Sequence, residues 1–353
     1  MLATSIPVTK TSASRLTPEL RDNSAFGAVF SDHMLLADYA NGKWGEPRII
    51  PYGSQMMAAA PAVAHYGQGI FEGFKAFPRP DGGAVLFRPD ANHARMNRTC
   101  QRMAMPEIPA SIFVDGAAAL VQLDRNWIPE SDGAALYLRP VMFATGEPLG
   151  VRPSDTFRFI IETCPSGPYF SGAVDLIAED VYVRAFPGGT GAAKCGGNYA
   201  GSMLAALEAQ KKGFHNVLWL DGMEHKWVEE AGLMNVVFVI GGTVVTPPLG
   251  GTILPGITRD SVLTLLADMK VPVEERRISI DEVFDAHAKG TLDGAAGVGT
   301  AAVIAPLGRL RHKDREITVK PMAPDSVLAR VGAELEGIRS GRLADRHGWL
   351  MAI

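Results

Sequence analysis

One run of breaking residues, Cys164-Pro165-Ser166-Gly167-Pro168-Tyr169-Phe170-Ser171-Gly172, interrupts the chain near its middle. Proline fixes φ and removes a backbone donor, and glycine holds neither helical nor strand periodicity, so the run reads as a boundary. A length of 353 residues accommodates about two domains at roughly 150 residues each. The sequence therefore predicts a loose polar arm over 1–20, a small α/β domain over 21–163, a linker over 164–174 and a larger domain over 175–353. Strand-like runs and helical periodicity alternate on both sides, without strict βαβ repetition or an internal repeat. The fold class is read as α/β, in the mixed α+β sense.

Local signals place the elements. Asp81-Gly82-Gly83 turns into a strand over Ala84–Arg88, and Asp90 is placed to cap a helix reaching about Ala104. A second helix spans Ser111–Trp127, and Ala134–Ala144 and Phe157–Glu162 read as buried strands. Past the linker, Asp175–Ala185 reads as a long strand, and Asn198–Lys212 as a helix stopped by Gly213. Asn216–Leu220 is a strand and Val236–Thr246 a hairpin around Gly241-Gly242. A helix over Gly256–Met269 leads to a strand over Val271–Ile278. Ser279 and Glu282 form a capping-box pattern at the next helix, and a last helix covers Asp325–Ser340.

Composition excludes several classes. Lys plus Arg is 34 against 38 for Asp plus Glu, so no broad basic surface is available for nucleic acid. No apolar run approaches the ~18 residues of a membrane helix, and the first residues lack the apolar core of a signal peptide. Cys100, Cys164 and Cys195 are odd in number and far apart, which argues against disulfides and predicts a reducing cytoplasm. The eight histidines show no ligand spacing, so no metal site is expected.

Five windows carry candidate chemistry. In Gly188-Gly189-Thr190-Gly191-Ala192-Ala193-Lys194-Cys195-Gly196-Gly197-Asn198-Tyr199 one lysine stands among small residues before a helix. A desolvated lysine loses its proton more readily, and its neutral amine condenses with aldehydes; taken alone, the window reads more simply as a glycine loop with a solvated lysine. It is not a P-loop, because Lys194 is preceded by Ala193 and followed by Cys195, and not a dinucleotide fingerprint, because Lys194 stands where the third glycine belongs. Leu254-Pro255-Gly256-Ile257-Thr258-Arg259 opens a helix whose first N–H groups can face an anion. Gly297-Val298-Gly299-Thr300-Ala301-Ala302 runs into a strand and so is not a Rossmann turn, but its N–H groups and hydroxyl suit an anion too. Glu229-Glu230 at a strand mouth could pair a cationic ring nitrogen or be simply solvated. Tyr137 and Arg139 share one strand face by the period of two, and a buried arginine there needs a carboxylate, structural or substrate.

Taken together, these windows and two further ones resemble the branched-chain amino-acid aminotransferases, fold-type IV pyridoxal-phosphate enzymes. The further ones are His65-Tyr66-Gly67-Gln68-Gly69-Ile70-Phe71-Glu72-Gly73-Phe74-Lys75-Ala76-Phe77 and Leu86-Phe87-Arg88-Pro89-Asp90, followed by Arg95-Met96. The match runs in order from about Phe26 to Ile304. It implies two domains with the cofactor, pyridoxal 5'-phosphate, at their interface. Lys194 would be the Schiff-base lysine and proton shuttle, Glu230 the partner of the pyridine nitrogen, and Tyr199 the donor to the phenolic oxygen. Arg95, Ile257, Thr258 and Thr300 would hold the phosphate.

For the substrate the resemblance implies Phe26, Tyr66 and Tyr137 along the side-chain pocket, with Phe30 a neighbour in the same strand. Thr300 and Ala301 would receive the α-carboxylate and Arg139 the distal carboxylate of glutamate. Tyr169 would close over the site. The implied activity is transamination between leucine, isoleucine or valine and 2-oxoglutarate by a ping-pong route, in a homodimer. The alternatives on this fold are a D-amino-acid transaminase or an aminodeoxychorismate lyase, and outside enzymes a ligand-binding protein that kept the fold. Leu233 and Cys195 depart from the family pattern.

Overall fold

The computed structural model describes residues 6–79, 81–131, 133–147, 149–167, 172–300 and 303–353. The chain divides into two units. One comprises Met1–Tyr169, Ala193–Gly196 and Ile338–Ile353, the other Phe170–Ala192 and Gly197–Gly337.

The first unit opens with a short helix α1 (Pro18–Asp22), capped by the Thr17 hydroxyl. Strands β1 (His33–Ala40), β2 (Lys43–Trp44), β3 (Arg48–Pro51), β4 (Gly69–Phe71), β5 (Phe74–Pro78), β6 (Ala84–Phe87), β7 (Ala135–Ala144) and β8 (Phe157–Ser166) build one mixed-length sheet. A short helix α2 (Ala62–Tyr66) precedes β4. Helices α3 (Pro89–Arg102) and α4 (Ala110–Leu123) cover one face. Phe113 of α4 stacks on Phe74 at 5.7 Å and on Phe159 at 6.0 Å. Gly116 lets α4 come close, since a Cβ there would stand 2.5 Å from Leu35 Cδ1.

Side chains alternate across a strand. Leu136, Leu138, Phe159 and Ile161 therefore enter this core, and Tyr137, Arg139, Glu162 and Cys164 emerge on the opposite face. Each of the last two is a cross-strand partner of one of the first two: Tyr137 pairs Cys164 and Arg139 pairs Glu162.

The second unit holds β9 (Val174–Ala178), α5 (Gly196–Lys211), β10 (Asn216–Leu220), β11 (Val228–Ala231), β12 (Met234–Ile240), β13 (Thr243–Thr246), α6 (Ile257–Asp268), β14 (Val273–Glu275), α7 (Ile280–Ala288), β15 (Leu292–Gly299), β16 (Val303–His312), β17 (Arg315–Thr318) and α8 (Val327–Arg339). The sheet order is β11-β10-β9-β16-β15-β12-β13-β14, and a further β11–β12 pairing closes the path on itself. Val236, Phe238, Leu218, Leu220 and Leu310 fill its core. A final strand β18 (Leu350–Ala352) belongs to the first unit and pairs β6.

Several elements match the local signals: the hairpin at Gly241 and Gly242, both at positive φ, the helix stop at Gly213, and the cap in which Ser279 accepts from Glu282 N–H at 3.0 Å. Others are corrected. Asp90 is no cap; the N-cap is Arg88 in a left-handed conformation, with Pro89 opening the helix. The strand read over Asp175–Ala185 ends at Ala178, where the Glu179 carboxylate accepts from the Val181 and Tyr182 N–H groups and turns the chain. Strand β8 continues through Pro165 to Ser166. Its pairing to β1 ends at Ile161, so the donor that Pro165 lacks faces no partner strand. Phe170 and Tyr169 lie outside the described residues.

Residues 8–15 make specific contacts within the first unit. Val8 bridges Ile49, Thr11 N–H donates to His33 Nε2 at 3.0 Å, and Asp32 accepts from Ser14 and Arg15. The His33 ring is fixed in turn by Asp124 at 2.6 Å.

Candidate active site

In the first unit Lys194 is carried on a short segment docked beside β4. Phe71 N–H donates to Lys194 O at 3.0 Å, Lys194 N–H donates to Thr99 Oγ1 at 3.2 Å, and Ile70 bridges Cys195. The backbone is thus fixed on both sides of the lysine. Its Nζ stands 4.8 Å from the centre of the Phe71 ring. The Arg139 guanidinium approaches the same ring at 4.7 Å, and such contacts favour a cation against an aromatic face.

Arg139 Nη2 donates to the Tyr137 hydroxyl at 3.0 Å, and Phe26 meets the Tyr137 ring edge-on at 4.9 Å. Room for that hydroxyl comes from Gly73, where a Cβ would lie 1.9 Å from it. Burial pushes the Tyr137 hydroxyl above its ordinary value, although Arg139 pulls it back. Of the residues named from sequence, Lys194 and Arg139 therefore meet at Phe71, with Tyr137 bonded to Arg139 and Phe26 against Tyr137.

Arg95 lies in the same unit on α3. It grips Glu72 with two bonds, Nε to Oε1 at 2.6 Å and Nη2 to Oε2 at 2.8 Å. Glu72 is wholly buried, and a bidentate fork of this kind fixes the arginine's plane. Tyr66 is half-exposed and its hydroxyl accepts from Gly150 N–H at 2.8 Å, holding the loop after β7. Phe30 is not in a strand with Phe26. The chain turns there, and Phe30 stacks on Tyr52 at 4.9 Å.

In the second unit Glu230 sits on β11, opposite Asn235 of β12. Its carboxylate is buried, ion-paired to Arg184 Nε at 2.9 Å, and accepts Leu254 N–H at 2.7 Å. Arg184 also donates to Thr252 O at 2.6 Å and Gly191 O at 3.2 Å. Gly191 must be glycine, since a Cβ would lie 2.3 Å from Thr252 O. Glu230, Arg184, Asn198, Tyr199 and Leu233 line one small cavity. Glu229 points elsewhere: Thr252 donates to it at 2.5 Å, and burial pushes its carboxyl up despite that bond.

Helix α6 starts at Gly256 without a side-chain cap, so the N–H groups of its first turn, Ile257 and Thr258 among them, are not capped by that residue. Asn235 packs beneath: its Oδ1 lies 2.0 Å from where a Gly256 Cβ would be, and its amide donates to Leu254 O. Thr300 follows β15 directly. Ala301 lies outside the described residues, as does Tyr169.

Sequence reasoning missed Arg184, Glu72, Phe71 and Glu162 as parts of these constellations. Phe71 and Glu72 stand inside the segment from His65 to Phe77 that carries the resemblance. Nothing local marks Arg184 or Glu162. The three cysteines are free and buried, and burial pushes the Cys100 thiol up to about 12, which leaves it unreactive. Among the described residues no helix is long and apolar enough to cross a membrane, and no cluster of acids, cysteines and histidines could hold a metal ion.

Known proteins resemble this chain. The family described as Amino-transferase class IV matches residues 69–307. Branched-chain-amino-acid aminotransferase 2 of Bacillus subtilis is 44% identical over 353 residues, covering 99% of this chain and 97% of its own. The crystal structure of the Escherichia coli branched-chain amino acid aminotransferase aligns with a TM-score of 0.73 at 26% identity, covering 89% of this chain and 98% of that one. A T.th. branched-chain amino acid aminotransferase, complexed with N-(5'-phosphopyridoxyl)-L-glutamate, aligns at 0.70 and 25% identity, with 89% and 97% covered. The chain belongs to the class IV aminotransferases, and among them to the branched-chain-amino-acid aminotransferases. It shares their fold-type IV architecture.

Proposed function

We propose that this chain transfers an amino group between leucine, isoleucine or valine and 2-oxoglutarate, with pyridoxal 5'-phosphate as cofactor, by a ping-pong route in a cytoplasmic homodimer. The observation that carries the reading is the convergence of Lys194 and Arg139 on the Phe71 ring, with Tyr137 hydrogen-bonded to the arginine. One amine and one cation share an aromatic wall, as a pocket for both aliphatic and acidic amino acids requires.

The residues fit the cofactor. Glu230, anchored by Arg184 and the Leu254 N–H, suits a protonated pyridine nitrogen. The start of α6, where Gly256 supplies no side-chain cap, would present the Ile257 and Thr258 N–H groups to a phosphate, and the plane-fixed Arg95 would add a cation. Thr300 would add its hydroxyl, and Tyr199 would donate to the phenolic oxygen. When bound, pyridoxal phosphate supplies an aldehyde carbon and an electron-withdrawing ring.

Lys194 Nζ would hold the cofactor's aldehyde carbon and would move the proton at the substrate Cα. Glu230 would keep the ring nitrogen protonated. Phe26, Tyr66 and Tyr137 exclude water from an aliphatic side chain. Thr300 and Ala301 receive the α-carboxylate, and Arg139 receives the distal carboxylate of glutamate. The relative complexed with a phosphopyridoxyl-glutamate adduct supports glutamate as the second donor. The test is a half-reaction assay on the holoprotein: leucine, isoleucine, valine and glutamate each bleach the cofactor's absorbance and D-alanine does not. Conversion with D-alanine in place of the L-amino acids contradicts the reading.

A further inference from the structure

We propose that Glu162 sets the balance between acidic and aliphatic substrates, by opposing the charge of Arg139 across the β7–β8 ladder. The inference rests on the reading above, in which Arg139 receives the distal carboxylate of glutamate.

Arg139 and Glu162 are direct cross-strand partners, so their side chains leave the same face of the sheet. Opposite residues of an antiparallel pair hold their Cβ atoms about 5 Å apart. Glu162 is partly buried on that face; burial pushes its carboxyl up and Arg139 pulls it back. No hydrogen bond joins the two among the described residues. The guanidinium donates instead to Tyr137, and its buried Nε has no hydrogen-bond partner among the described residues. Glu162 thus pulls on the positive charge without capturing the donors that a substrate carboxylate would use. Tyr52 and Cys164 also feel its charge.

The physical need is specific. When an aliphatic side chain fills the pocket, water is expelled and an unopposed guanidinium costs energy. A fixed carboxylate alongside offsets that cost. When glutamate enters, the same carboxylate repels its distal group. Glu162 therefore favours leucine at the expense of glutamate.

The test is steady-state kinetics of the holoenzyme with leucine and with glutamate. Glu162→Gln lowers KM for glutamate about fivefold and raises KM for leucine about twofold, with kcat for each within about twofold, a size consistent with charges at this range in a partly screened site. Glu162→Asp keeps the wild-type ratio. If Glu162→Gln shifts both KM values together, or raises that for glutamate, the proposal is overturned. Arg139→Gln separates the two levels. A loss confined to glutamate upholds the reading of Arg139 whatever Glu162 does, and an equal loss for both donors removes that reading and this inference with it.

Discussion

Arg184 and Glu230 form a buried ion pair, Nε to Oε2 at 2.9 Å, and the same guanidinium ties the carbonyls of Gly191 and Thr252. One side chain thereby fixes the acid and two loops around it. Removing one member of a buried pair strands the other charge, which costs about 3–5 kcal/mol. Arg184→Met is expected to lose about 3 kcal/mol in urea unfolding of the cofactor-free protein and to weaken pyridoxal phosphate binding at least tenfold by absorbance titration. Unchanged stability and affinity would show that Glu230 is held by the Leu254 N–H alone.

Gly73 makes room for the Tyr137 hydroxyl, which would be 1.9 Å from an added Cβ. Gly73→Ala must push Tyr137 aside, and with it the hydrogen bond to Arg139. Overpacking of this kind costs about 1–3 kcal/mol. Transamination of glutamate should fall more than tenfold while the far-ultraviolet circular dichroism stays that of the wild type.

Glu72 accepts both bonds of Arg95 and is wholly buried. Glu72→Gln keeps the shape and removes the charge, leaving a buried guanidinium half-matched. Stability should drop by about 3 kcal/mol, read by urea melts, and phosphate-containing cofactor should bind less tightly than in the wild type.

Asp221 accepts N–H bonds from Met223, Glu224, Lys226 and Trp227 in one tight turn before β11. Burial alone would raise its carboxyl, but the four donors outweigh that and hold it below its ordinary value. A carboxyl lowered on folding adds stability above pH about 3.8, and that stability is lost as pH falls through the lower folded value. Asp221→Asn should therefore lower Tm at pH 7 and narrow the gap to wild type as the pH approaches 3. A gap that stays constant with pH would mean the carboxylate's charge contributes nothing.

How far the sequence reads into the structure depends on where each signal originates. Elements set by neighbours in the chain were legible: the Gly241-Gly242 hairpin, the Ser279 cap, the helix after Gly256, and the shared face of Tyr137 and Arg139. Elements set by distant partners were not. Pro165 sits in a strand because β1 has ended beside it. The strand after Val174 stops at a side-chain turn made by Glu179. Residues 6–16 carry no periodicity, yet they are tied to Ile49, His33 and Asp32. The site shows the same division. Tyr137 and Arg139 share a face by the strand period and Lys194 stands out only through the family resemblance, whereas Arg184 and Glu162 gain meaning only from the carboxylate and the guanidinium that the fold sets beside them.

The central claim is that the Lys194 amine carries the cofactor. Borohydride reduction of the holoprotein followed by peptide mass mapping tests it most directly. A phosphopyridoxyl group fixed on the peptide containing Lys194, and absent from the Lys194→Ala variant, is the predicted result; the label on another lysine, or on none, would contradict the account.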